Sequence, residues 1–150
     1  MQRLIQFCLH SAGTNSNRGD WGILILRFSF GLTMALSHGM HKIPPSEGFI
    51  AVVASMGFPF ASFFAWSAAL SESVGGLLIA IGFFTRPAAF LLLQTMLVAA
   101  LIKHGDDPFN KMESALLFAS FSLSILLTGA GRWSLDARLW KINQKDHTDG

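Results

Sequence analysis

Charge is scarce in this chain. Asp, Glu, Lys and Arg make up 13% of its 150 residues, about half the share of an ordinary soluble domain. There is one cysteine, Cys8, and no tyrosine. A lone cysteine excludes an internal disulfide, a paired-thiol redox motif and a cysteine-rich metal site. Any redox work must therefore use a borrowed group. The formal net charge is only +2, and the basic residues do not gather on one face, so nucleic acid is not an expected partner. No phosphate-binding loop, nucleophile-with-base pair or hydrolytic carboxylate pair is present.

What the chain has instead is length in its apolar runs. Trp21–Met40 carries one charge, Arg27, and Phe58–Phe84 carries only Glu72; Pro87–Ile102 and Ser114–Ala130 carry none. A membrane span needs about 20 residues, so these four runs predict an all-α polytopic membrane protein, a bundle of four transmembrane helices with short loops. The third and fourth runs are short enough that both should extend into their polar flanks. Phe49–Gly57 cannot span. It reads as an interfacial helix between the first two spans, with a re-entrant segment or an extra packed turn as alternatives.

Punctuation marks the breaks. "KIPPSEG" at Lys42–Gly48 stops the first helix, because two successive prolines cannot continue its hydrogen-bond ladder. "FFTRP" at Phe83–Pro87 is a tight turn with Pro87 suited to a helix start. Lys103–Glu113 is the most polar internal loop, and the glycines of "TGAGRWSLD", Thr128–Asp136, close the fourth helix, with Ser134–Asp136 expected as a short interfacial turn. This gives an N-terminal segment 1–19, a membrane domain 20–138 and a tail 139–150. "MQRLIQFCLHSAG" is too polar for a signal peptide, and its better reading is a membrane-surface segment. Arg3, Arg18, Arg86, Arg132, Arg138, Lys141 and Lys145 fall on one side of the bundle, and Lys42, Lys103 and Lys111 on the other. By the positive-inside rule both termini are expected to be cytoplasmic.

The costly residues are those inside the spans. On a regular helix Arg27 and His38 lie within roughly 20° of each other, Lys42 follows one turn later, and the shared stripe should face the bundle interior. Ala68, Glu72 and Gly76 form a matching stripe on the second helix, and the Gly75-Gly76 pair reads as close helix packing. Arg27 and Glu72 are expected partners, either as a structural ion pair or as part of a polar pocket or proton path. His38, His41 and His104 sit toward the opposite end from the termini. They read as hydrogen-bonded interface residues, or as donors to a quinone carbonyl, with a haem or a metal site completed by Glu113 as weaker readings. Arg86, Arg132 and Asp136, at the termini end, suggest a network tying the middle turn to the end of the fourth helix. Gln94 reads as an interhelical hydrogen bonder, the charges of the 103–111 loop as solvated, and the 14 phenylalanines as lipid contact and core filling.

Three stretches, "LRFSFGLTMALSHGMHK", "SESVGGLLIAIGFFTRP" and "ESALLFASFSLSILLTGAGRWSLD", resemble the DoxX family of small four-helix bacterial membrane proteins. The resemblance runs from about residue 20 to residue 138. The matching positions are Arg27, Gly31, His38, Gly39 and Lys42 in the first helix and Glu72, Gly75, Gly76, Gly82, Thr85 and Arg86 in and after the second. Glu113 precedes the fourth, and Gly129, Gly131, Arg132, Trp133, Ser134, Leu135 and Asp136 follow it. The resemblance implies a bundle in the bacterial inner membrane. It also implies links, in some relatives, to quinone-coupled oxidoreductases or to oxidative-stress and metal-binding-peptide machinery.

Two functional expectations result. The first is a membrane subunit that binds quinone or a similar redox molecule in its polar interior and acts with a separate catalytic partner, or as a homo-oligomer. Arg27, His38, His41, Glu72, His104 and Glu113 are its ligand or proton-path candidates, and Lys42, Arg86, Arg132 and Asp136 form its structural polar network. No intrinsic cofactor is evident. The second is a non-catalytic scaffold or assembly factor. A transporter is disfavoured, because no inverted repeat is visible.

Overall fold

The computed structural model describes residues 17–146, with side chains described to residue 141; the expected N-terminal surface segment lies outside these residues. Among them are six helices and no strand: α1 (Asn17–Lys42), α2 (Glu47–Ser55), α3 (Ala61–Ile81), α4 (Thr85–Lys103), α5 (Phe109–Thr128) and α6 (Leu135–Asp146). Four of these, α1, α3, α4 and α5, are long and apolar enough to cross a membrane. The third and fourth spans reach into their polar flanks, as their short apolar runs required.

The distribution of side chains is that of a protein solvated by lipid. Large apolar groups point outward, with Ile25, Leu101 and Leu127 all more than 60% exposed, whereas Asp20, Arg27, Glu72, Ser73, Ser122 and Asp136 are buried. Such an arrangement is stable where the surroundings are as apolar as the core and the buried charges, as at Arg27, Glu72 and Asp136, have internal partners. Between α4 and α5, Leu92, Met96, Phe118, Phe121 and Ile125 form much of the core. Phe30 of α1 stacks on Phe121, with centroids 4.5 Å apart.

Small residues set the register of α1 against α3. A Cβ built on Gly31 would lie 2.6 Å from the Gly76 carbonyl oxygen, and one on Gly76 would lie 2.8 Å from that of Gly31, so the two backbones touch. The expected Gly75-Gly76 packing pair divides: a Cβ on Gly75 meets nothing closer than 3.9 Å. Gly76→Ala is therefore expected to lower stability in detergent by about 1–3 kcal/mol, the usual scale of overpacking, while Gly75→Ala is tolerated. Thermal unfolding of the two variants side by side checks this, and equal effects would contradict the register.

Three spans contain a π-helical stretch: Met34–Gly39 in α1, Ser71–Gly75 in α3 and Ala99–Lys103 in α4. Such wide turns recur at functional sites. The first two pack directly on each other, where a Cβ on Gly39 would run into the backbone of Glu72 and Ser73. Gly39 is thus level with Glu72. From there α1 continues only to Lys42, but α3 extends back to Ala61, roughly 15 Å further at 1.5 Å per residue. The gap left above the end of α1 is occupied by α2, whose first turn is capped by Ser46 accepting from Phe49 N at 3.2 Å. α2 is the helix expected between the first two spans. Residue 138 lies within α6, which Ser134 caps, its hydroxyl accepting from Ala137 N at 3.1 Å.

Candidate ligand-binding site

The expected partnership of Arg27 with Glu72 does not form, because helix register separates them. Arg27 lies against Gly82, where an added Cβ would strike its guanidinium, and Gly82, just past the end of α3, is ten residues beyond Glu72, roughly 15 Å. Arg27 is 1% exposed and donates to the Ala130 carbonyl at 2.9 Å and the Trp133 carbonyl at 2.8 Å. Beside it Asp136 acts as a remote helix cap. Its carboxylate accepts from Phe84 N at 2.8 Å and Thr85 N at 3.0 Å, and its own N–H donates to the Gly82 carbonyl at 2.9 Å. A carboxylate suits the first turn of α4, where free amides and the helix dipole favour negative charge.

These contacts also hold Phe84 in the left-handed region, at φ 45°, which a bulky residue rarely adopts. The closing "GAGRWSLD" motif is therefore a clasp joining the ends of α1, α3 and α5 to the start of α4. Of the residues expected to form a network at this end, Asp136, Arg86 and Arg132 have these contacts. Asp136 does tie the middle turn to the end of α5, but through backbone amides and in the company of Arg27. Arg86 donates to the Leu127 carbonyl at 3.4 Å, and Arg132 is exposed and reaches Asn17 Oδ1 at 3.5 Å.

Lys42, expected in that network, is at the other end. Its Nζ donates to Glu72 Oε1 at 2.7 Å and Oε2 at 2.5 Å. The carboxylate is 3% exposed and the lysine side chain 33%, so the pair is one of buried acid and half-buried base. Lys42 Nζ also stands 5.4 Å above the Phe49 ring of α2, in reach of a cation–π attraction.

The pair lines a cavity of about 410 Å³ bounded by α2, α3, α4 and the end of α1, a size typical of small-molecule sites. Phe49, Phe58, Phe63 and Phe64 line its upper part, Leu91, Val98 and Ala99 the α4 side, and Ser67, Ser71 and Gln94 add polar atoms. The Ser71 hydroxyl is buried and has no hydrogen-bond partner among the described residues, an uncommon condition for a buried polar group. Gln94, expected to bond between helices, makes no side-chain hydrogen bond to another described residue and faces the cavity instead.

Of the other ligand candidates, none lines the cavity. His38 is exposed and packs edge-on against Phe118, with centroids 5.5 Å apart. His41 and Glu113 are exposed. His104 Nδ1 donates to Asp107 Oδ2 at 2.7 Å, and Lys111 adds a contact to the same carboxylate at 3.3 Å. The His104 hydrogen bond, and then that of Lys111, hold the Asp107 carboxyl below its ordinary range. A depressed carboxyl stabilises the loop at neutral pH and loses that contribution as pH falls through its folded value. The histidines are therefore dispersed, and among the described residues no group of three His, Cys, Asp or Glu is placed to hold a metal.

Fold and site together define a four-span membrane protein with a largely apolar cavity, edged by the Lys42–Glu72 pair, beside a short covering helix. The DoxX family model matches residues 22–105, and the chain belongs to the DoxX family. It is 32% identical over 121 residues to a Bacillus subtilis protein named "Putative oxidoreductase CatD", covering 80% of this chain and 88% of that one. It is 31% identical over 126 residues to the inner membrane protein YphA of Escherichia coli, covering 77% and 89%. An uncharacterized membrane protein of Mycobacterium tuberculosis, Rv3486, is 33% identical over 151 residues, covering 89% and 86%. No solved structure matches the chain.

Proposed function

We propose that this protein is a membrane subunit of a redox system that binds a quinone, or a similar small redox molecule, in the cavity beside Glu72, and that a separate catalytic partner exchanges electrons with it. The observation that carries the reading is the cavity itself: aromatic and aliphatic walls sized for a ring, with a Ser71 hydroxyl unpartnered among the described residues and the Lys42–Glu72 pair on one side. A quinone oxygen accepts hydrogen bonds of the kind Ser71 and Lys42 can donate, and its ring suits phenylalanine. The oxidoreductase name of CatD points the same way. The bacterial inner membrane, with both termini cytoplasmic, is the proposed location; the distribution of lysine and arginine and the name of YphA support it.

A second reading, a scaffold without ligand, has support in Arg27, whose bonds go to backbone carbonyls that end neighbouring elements. Titration calorimetry of the protein in lipid nanodiscs with a short-chain benzoquinone separates the two. Saturable binding is expected, weakened about tenfold in Ser71→Ala by loss of one hydrogen bond. Absence of binding, or binding indifferent to Ser71, would favour the scaffold.

A further inference from the structure

The cavity carries one positive charge in excess. Lys42 is matched by Glu72, but Lys103, exposed at the rim of the cavity it also lines, forms no ion pair among the described residues. The acids nearest in sequence are Asp106 and Asp107. Asp107 is engaged by His104 and Lys111, and Asp106 is exposed on the loop beyond. The two charged points lie at opposite ends. Gly75 of α3 is level with Ala88 of α4, where an added Cβ would be 3.9 Å from the Ala88 carbonyl. Counting from that contact sets Lys103 beside the start of α3, roughly 15–20 Å along the bundle from Glu72. Between them the walls are apolar, apart from Ser67, Gln94 and Thr95.

From this arrangement we infer that the ligand is an acidic amphiphile. Its hydrogen-bonding head lies against Ser71 and the Lys42–Glu72 pair, its apolar body along Phe63, Phe64 and Val98, and its anionic terminus at Lys103. With an uncharged ligand the exposed Lys103 ammonium is matched by water alone, whereas an anion at the rim gains an ion pair flanked on one side by apolar walls. The anionic terminus could belong to a carboxylated quinone or to a simple fatty acid, which share that chemistry. The quinone alternative rests on the function proposed above.

Three probes distinguish the cases: a benzoquinone whose saturated chain of about ten carbons ends in a carboxylate, long enough to bridge the two ends; the same quinone ending in a methyl group; and a fatty acid of equal length. Binding of each to the full chain in nanodiscs of uncharged lipid is measured, with protein-free nanodiscs subtracted. The carboxylated quinone is expected to bind about tenfold tighter than its methyl counterpart, with the advantage shrinking as salt rises. Lys103→Gln should abolish that advantage while leaving the methyl compound unchanged, and Lys103→Arg should keep it.

Equal binding of the two quinones overturns the inference and leaves the quinone reading intact. A fatty acid that binds as tightly as the carboxylated quinone supports the acidic terminus and overturns the quinone ring. If none of the three binds, both readings fall.

Discussion

Replacing Arg27 by methionine should destabilise the protein by about 3–5 kcal/mol, as removal of one member of a buried charged cluster does, and so by more than Gly76→Ala. The guanidinium is enclosed beneath Gly82 and supplies two hydrogen bonds, to the carbonyls of Ala130 and Trp133. Methionine fills much of the volume but leaves both carbonyls and the adjacent Asp136 carboxylate without their cation. Lysine in the same place keeps the charge, but its single ammonium does not reproduce a planar fork reaching two carbonyls, so Arg27→Lys should fall between. Thermal unfolding in detergent, followed by intrinsic tryptophan fluorescence, reads the effect, and Trp133 at the clasp makes it locally visible. A methionine variant as stable as the parent would show that the clasp does not hold the termini end together.

Replacing Glu72 by glutamine should have its largest effect on binding of the proposed quinone. The carboxylate fixes the Lys42 ammonium through both oxygens, and a neutral amide retains at most one acceptor toward it. The lysine, already one-third exposed, then turns toward water and no longer presents its proton to the cavity. Quinone affinity is expected to fall about tenfold to a hundredfold, the weight of one charge-assisted hydrogen bond. Stability should fall less, because Lys42 is not fully enclosed. The double variant Lys42→Met with Glu72→Gln separates the two effects. It removes the pair as a unit, so stability should recover while binding stays lost. Recovery of both would mean that the pair serves the fold alone.

The sequence made the spans legible because membrane length is a hard constraint: apolar runs near 20 residues, ended by Pro44-Pro45, Pro87 and the glycines at 129 and 131, have few other readings. It also marked which residues matter, since every charge placed in hydrocarbon has a reason to be there. Pairing those residues was beyond it. The stripe joining Arg27, His38 and Lys42 assumed a uniform 100° step, but the π-helical stretch at Met34–Gly39 holds more residues per turn and shifts the phase. Arg27 is therefore buried at 1% while His38 is turned outward.

Depth alone could not show that Gly31 meets Gly76, and that contact sets Arg27 against Gly82 and Lys42 against Glu72. The cavity was hidden for another reason. Its walls come from four separate segments, and phenylalanines such as Phe49 and Phe63 look no different in sequence from those that face lipid. The one signal in the chain was Ser67, Ser71 and Glu72 falling on one side of the second span, a polar edge too rich for simple helix packing.

The central claim, that the cavity beside Glu72 holds a quinone, is tested most directly by photolabelling. The protein in native-like membranes is irradiated with an azido-substituted quinone, digested, and the labelled peptides identified by mass spectrometry. Label should concentrate in 61–72 of α3 and 91–103 of α4, compete away with excess unlabelled quinone, and diminish in Glu72→Gln. Label spread over the lipid-facing positions of α5, such as Leu117 and Leu127, and insensitive to competitor would contradict the claim and leave the buried charges to the fold.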